Sequence, residues 1–133
     1  MIWSGSPLCQ NAGMSTTVLI VDDHPSFRAF ARTLLQAEGY RVVGEAGDGS
    51  AALREIRRLR PDLVLLDVQL PDIDGFEVLK RLVAEGNRSA VVLISSRDAS
   101  DYRRRLVESG ARGFIPKSEL SGASIHAMLG AVG

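Results

Sequence analysis

Asp22 and Asp23 close the apolar run "VLIV", Asp67 closes "LVLL", Ser95 and Ser96 close "VVLI", and Lys117 follows "GFIP". A fifth run, "RVVG", ends in Glu45 and Ala46 and contributes less obviously. Taken singly, each has an ordinary explanation: the acids as helix caps or turn residues, the lysine as a solvated loop charge. Brought to one place they would do more. Three carboxylates at close range repel, so either one takes up a proton or a divalent cation settles among them. Carboxylate oxygens, a backbone carbonyl and water suit magnesium in octahedral geometry. A cation held by acids recruits a phosphate, which Lys117 can bind from the other side while Ser95 donates a hydrogen bond. That is the apparatus of phosphoryl transfer, in which positioning and charge neutralisation supply most of the catalysis.

The elements that must position these groups alternate in period. "TVLIVDD" is a short strand, and from Pro25 to Glu38 the residues Phe27, Phe30, Ala31, Leu34 and Leu35 recur at helical spacing, with Pro25 in the first turn and Gly39 as the stop. "YRVVGEA" is a second strand. "GDGSAALREIRRLR" is a helix with Leu53, Ile56 and Leu59 inward, ended by Pro61. The third strand ends in Asp67, and Asp74 and Glu77 form a D-x-x-E start to a helix that buries Phe76, Leu79, Leu82 and Val83. "AVVLISS" is the fourth strand, "SDYRRRLVESG" a short helix with Tyr102 and Leu106 on one face, and "RGFIPK" the fifth strand. A last helix is expected from about Glu119 to Ala131, with Ile125, Met128, Leu129 and Val132 on one side. Five β-α units predict a doubly wound α/β fold, a five-stranded parallel sheet in flavodoxin-like order 2-1-3-4-5 with helices on both faces. Such sheets bind ligands at the carboxyl ends of their strands, where the reactive residues fall.

The 133 residues suit one domain, and acids and bases balance at 16 each, so net charge points to neither nucleic acid nor membrane. The single cysteine, Cys9, excludes an internal disulfide, and with only two histidines a zinc cluster is not expected. No apolar run is long enough to span a bilayer, and "MIWSGSPLCQNAG" lacks the basic start and apolar core of a signal peptide. A soluble cytoplasmic protein is expected. Residues 1–14 are expected to form a disordered extension, with Met14 a second plausible start and Trp3 the one residue there able to pack; 15–133 form the domain. His24 is read as a helix-start residue rather than a ligand, and the arginine runs at 57–58 and 103–105 as solvated helix faces.

The segments "VLIVDDHPSFR", "LVLLDVQLPDIDG", "VVLISS" and "GARGFIPKS", in this order and spacing, resemble the receiver domain of two-component response regulators. The "DDHP" and "GFIPKS" stretches are similar to the subfamily that carries a helix-turn-helix output domain. The resemblance spans about Thr17 to Val132. It implies that Asp67 accepts a phosphoryl group from a phosphohistidine of a sensor histidine kinase or phosphotransfer protein. It further implies that Asp23 and Asp67 ligate Mg2+ directly, that Asp22 acts mainly through water, and that the backbone carbonyl of Gln69 completes the protein ligands. Lys117 would pair with the phosphate, Ser95 would be the switch hydroxyl and Phe114 the switch aromatic. The output surface would be the fourth helix, fifth strand and fifth helix, where Tyr102, Arg103 and Arg105 reach a partner or a second copy in a homodimer. No direct nucleic-acid binding by this chain, no membrane contact and no conventional enzyme activity are expected.

Three positions depart from the family pattern. Ser95 stands where threonine is more usual. Phe114 lacks the hydroxyl of the common tyrosine. Ser118 follows Lys117 where many receivers have proline, and a cis bond there would cost roughly 2.5–4 kcal/mol, so cis geometry is not expected. Two other classes fit less well. A phosphatase of the haloacid dehalogenase class resembles D-x-D, but Gln69 stands at the second acid and the cap insertion is missing; a flavodoxin needs a phosphate cradle where "DDHPS" places two negative charges. The remaining alternative is a receiver-like interaction module that works without phosphorylation.

Overall fold

The structure, a computed structural model, describes residues 16–97 and 99–130. Strands β1 (Thr17–Val21), β2 (Arg41–Ala46), β3 (Leu63–Asp67), β4 (Ala90–Ser95) and β5 (Gly113–Pro116) alternate with helices α1 (Pro25–Ala37), α2 (Gly49–Leu59), α3 (Gly75–Ala84), α4 (Arg103–Ser109) and α5 (Gly122–Gly130). All pairings are parallel and the strand order is 2-1-3-4-5, as expected of a flavodoxin-like sheet.

The core follows from the two-residue period of the strands. Leu19, Val21, Val64, Leu66, Val91 and Leu93 pack on one face with Ala52, Leu53 and Ile56 of α2 and Phe76, Leu79 and Leu82 of α3. Val18, Ile20, Leu63, Leu65, Val92, Ile94 and Ile115 pack on the other face with Ala31 and Leu35 of α1 and Ile125 of α5. β3 is buried at every residue, as a central strand covered on both sides must be.

Several boundaries and faces differ from expectation. Phe30 is 50% exposed and Val83 57%, because each lies beside the buried stripe of its helix; Val78 is buried in α3 instead. The fourth helix is split. Ala99–Asp101 form a 3-10 turn and α4 begins at Arg103, because the ring of Tyr102 is held between Phe76 and Phe114, with centroids 5.6 and 6.1 Å away. The last helix starts at Gly122, not near Glu119: Lys117–Glu119 form a 3-10 turn, Leu120 is extended and buried, and the Ser121 hydroxyl accepts from the Ser124 N–H at 3.0 Å. Of the D-x-x-E start of α3, one half forms: Asp74 accepts from the Glu77 N–H at 2.9 Å, while the Glu77 carboxylate turns to Arg81. Among the described residues no peptide bond is cis. The expected extension at 1–14 with Trp3, the Leu129 side chain and Val132 lie outside the described residues.

The loop from β3 to α3 is held at two points. The Gly75 N–H donates to the Val68 carbonyl at 2.8 Å, and a Cβ at Gly75 would lie 2.4 Å from the Asp67 carbonyl oxygen, so only glycine fits this close approach. The Asp72 carboxylate accepts from the Gly49 and Ser50 N–H groups at 2.7 and 2.9 Å, capping α2 from outside, while Asp48 caps it from within through Ala51. The Gly49 hydrogen bond holds the Asp72 carboxyl well below the usual carboxylate range, with Ser50 adding to it.

Candidate functional site

The ends of β1, β3, β4 and β5 set out the site. Parallel register places Asp67 opposite Ile94, and Ile94 opposite Ile115, so Ser95 stands one step beyond the acid on the neighbouring strand and Lys117 two steps beyond it, just after β5. Asp22 follows β1, with its N–H bonded to the Ala46 carbonyl at 3.0 Å. Asp22, Asp67 and Ser95 are the three buried polar or charged residues among those described. Burial of ionisable groups is costly unless they are paired, and here both acids pair with Lys117.

Lys117 joins the acids. Its Nζ lies 2.5 Å from Asp22 Oδ2 and 3.1 Å from Asp67 Oδ2, and 4.7 Å above the centroid of the Phe27 ring. Burial pulls the ammonium's pKa down, but Asp22 and Asp67 outweigh it and leave the group above its ordinary value. Asp67 shows the opposite balance. Burial pushes its carboxyl up from 3.8 to about 6, against the Gln69 N–H, which donates to Oδ1 at 3.0 Å, and against Lys117; Asp22 adds to the rise. Asp22 Oδ2 is buried without a well-directed hydrogen bond, its contact with Lys117 being an ion pair.

Asp23 and His24 complete the cluster at its open side. The Asp22, Asp23, His24 and Asp67 ligand atoms lie within 4.8 Å of one another. His24 is the N-cap residue of α1, as expected, but its ring also enters the cluster, with Nδ1 3.1 Å from Asp22 Oδ1 and 3.0 Å from Asp23 Oδ1. The donor set is hard oxygen with one imidazole, and the under-satisfied Asp22 Oδ2 supplies a further oxygen. Magnesium, with most of its shell water, fits such a set.

Ser95 is fully buried and its Oγ accepts from the Arg97 N–H at 3.1 Å. Gln69 is exposed and contributes its N–H to Asp67. Phe114 is half-buried, packed against Tyr102 rather than against the acids. The arginines at 103–105 are exposed, yet Arg105 is engaged within the domain: it donates to Asp74 at 3.0 Å and lies 4.2 Å over the Phe76 ring. Tyr102 packs locally, as the middle ring of the Phe76–Tyr102–Phe114 row.

Two participants were not anticipated. The first is the ring of His24. The second is Arg28 of α1, whose Nη1 donates to the Asp22 carbonyl at 2.6 Å while its Nε donates to Glu45 at 2.9 Å. Arg32, one turn later, donates to the other oxygen of Glu45 at 2.8 Å, and the Arg32 and Arg28 contacts hold that carboxyl below its ordinary range. The signal was present as two arginines at i and i+4 facing a strand-end glutamate.

The family model for the response regulator receiver domain matches residues 18–129. The positive transcription regulator of virulence factors BvgA of Bordetella pertussis is 41% identical over 106 residues, covering 80% of this chain and 51% of that protein. The chain spans about half the length of the curated relatives it matches. Among solved structures, the signal receiver domain of NarL from Mycobacterium tuberculosis is similar with a TM-score of 0.75 at 35% identity, covering 86% of this chain and 97% of that one. CheY in the CheX-CheY-BeF3-Mg+2 complex of Borrelia burgdorferi is similar with a TM-score of 0.81 at 26% identity, covering 90% of each chain. Among the described residues no helix is long and apolar enough to cross a membrane. The match over nearly the whole described chain, on a sheet of the same strand order, makes this chain a member of the receiver-domain family of two-component response regulators.

Proposed function

We propose that Asp67 is a phosphoacceptor that works with Mg2+ and that its modification switches the domain to control an output. The observation that carries the reading is a buried carboxylate at the end of the central strand, with an ammonium 3.1 Å from one oxygen and two further acids beside it. The solved relative CheY, crystallised with Mg2+ and the phosphoryl mimic BeF3, supports it.

An Asp67 oxygen attacks the phosphorus, and the bond from phosphorus to the donor breaks, the electron pair leaving with the donor. With a phosphohistidine of a sensor kinase or phosphotransfer protein as donor, the leaving group is an imidazole nitrogen. The Gln69 N–H holds Asp67 Oδ1, which leaves Oδ2 as the oxygen shared with Lys117. Lys117 then exchanges a carboxylate partner for a phosphoryl oxygen, keeping its charge compensated throughout. Asp22, Asp23 and Asp67, with the Gln69 carbonyl, would hold the cation, which when bound neutralises charge on the phosphoryl oxygens. Ser95, on the adjacent strand, would meet the phosphoryl group, and its movement would open space toward Phe114 on β5. The change biases an existing equilibrium between two packings.

Incubation with acetyl phosphate and Mg2+ followed by intact-mass measurement tests this reading. One phosphoryl group is expected on wild type, none on Asp67→Asn, and a reduced amount on Asp23→Ala. Label that persists on Asp67→Asn would move the acceptor elsewhere; absence of label on wild type would favour an interaction module that works without phosphorylation.

A further inference from the structure

The β1–β2 ladder ends at Val21 and Ala46, one residue before the acids. The Asp22 N–H still finds Ala46, but its carbonyl has passed the last strand pair, and a buried carbonyl must be satisfied from somewhere. Arg28 supplies the donor, at 2.6 Å. That carbonyl belongs to the peptide joining Asp22 to Asp23, so the contact fixes the plane from which both carboxylates project. The guanidinium is itself held: Glu45 grips its Nε at 2.9 Å and is gripped in turn by Arg32.

We propose that Arg28, braced by Glu45, is a positioning residue for the cation site: it orients the Asp22–Asp23 peptide and thereby the Asp23 carboxylate. This rests on reading Asp22, Asp23 and Asp67 as cation ligands. The strand-end carboxylate Glu45 serves the site indirectly, as the anchor of Arg28, and not as a ligand.

Charge and position make opposite predictions here. An arginine near a cation site repels the cation, so removing its charge alone would tighten binding. Removing a brace loosens it, and loss of groups that orient metal ligands weakens affinity by roughly tenfold or more. The experiment is a Mg2+ titration followed by backbone amide shifts, on wild type, Arg28→Met, Arg28→Lys, Glu45→Gln and Arg32→Met. Arg28→Met is expected to bind Mg2+ roughly tenfold more weakly, and Arg28→Lys to recover part of that by donating to the carbonyl alone. Glu45→Gln should shift in the same direction by less. Arg32→Met, which removes a like charge without touching the Asp22 carbonyl, should stay within twofold of wild type. Unchanged or tighter Mg2+ binding by Arg28→Met overturns the proposal, and if that variant does not fold, unchanged or tighter binding by Arg28→Lys and Glu45→Gln does so. Failure of wild type to bind Mg2+ removes the cation reading itself, and with it this role; normal binding by wild type and variants alike removes only the role of Arg28.

Discussion

Lys117 and Asp67 are fifty residues apart and meet at 3.1 Å, an ammonium against a buried carboxylate. The same ammonium also contacts Asp22 Oδ2, so it occupies two oxygens that a cation would use. Lys117→Ala should therefore bind Mg2+ several-fold more tightly while accepting phosphate more slowly. Without metal it should be less stable by on the order of 2–3 kcal/mol, because two buried carboxylates lose their counter-charge. Thermal melts across a Mg2+ series measure both effects; a variant with wild-type affinity would show that Lys117 and the cation do not compete.

Asp67 carries its own pH signature. Its folded pKa of about 6 lies above the ordinary 3.8, so the fold binds the proton more tightly than the unfolded chain does. Its contribution is fully favourable below pH 3.8 and is lost as pH rises through 6. At neutral pH, keeping it ionised costs on the order of 3 kcal/mol. That balance already includes the Lys117 contact, so Asp67→Asn is expected to gain up to about 3 kcal/mol over wild type at pH 7 without metal, shrinking toward pH 4. Urea titrations at the two pH values check the sign.

Gly75 supports the end of β3, where Asp67 stands, from behind. An added methyl would meet the Asp67 carbonyl oxygen at 2.4 Å and Val68 Cα at 3.0 Å, both backbone atoms that cannot turn aside. Gly75→Ala should destabilise by about 1–3 kcal/mol. It should also slow labelling of Asp67 at saturating Mg2+, since the loop that brings the Gln69 N–H to Oδ1 must move. A destabilised variant that labels at the wild-type rate would separate the loop from the chemistry.

Ser95→Ala tests the path of the signal. Amide shifts with and without beryllofluoride and Mg2+ should move at Phe114 and along α4 in wild type and much less in the variant. Equal responses in both would mean that the hydroxyl does not couple the site to this surface.

The sheet and the acidic cluster at its edge were legible because strands end in carboxylates, a hydroxyl and an ammonium, and a doubly wound topology leaves one edge for all of them. The pattern could not set the width of a helix's buried stripe, which is why Phe30 and Val83 were assigned inward and are exposed. Nor could it foresee Tyr102 breaking the fourth helix, because the anchor is a pair of rings from α3 and β5 that sequence spacing does not join. His24 and Arg28 were passed over for a related reason. Each has a full local explanation, as a cap and as a helix charge, and its second role depends on the depth at which α1 lies against β1 and β2.

The proposed acceptor and the aromatic expected to answer it sit at opposite ends of a gradient in backbone protection. Asp67 ends a strand flanked on both sides by partners and buried at every position. Phe114 belongs to a four-residue strand at the sheet's rim, beside a seven-residue helix with no fully buried residue. Hydrogen exchange should accordingly be slowest along β3 and fastest through α4 and β5, with β4 between them. Chemistry performed on the most rigid strand cannot be absorbed there as deformation. On the proposed reading it would be passed outward to the elements that open most cheaply, where a small input of free energy produces the largest change of shape.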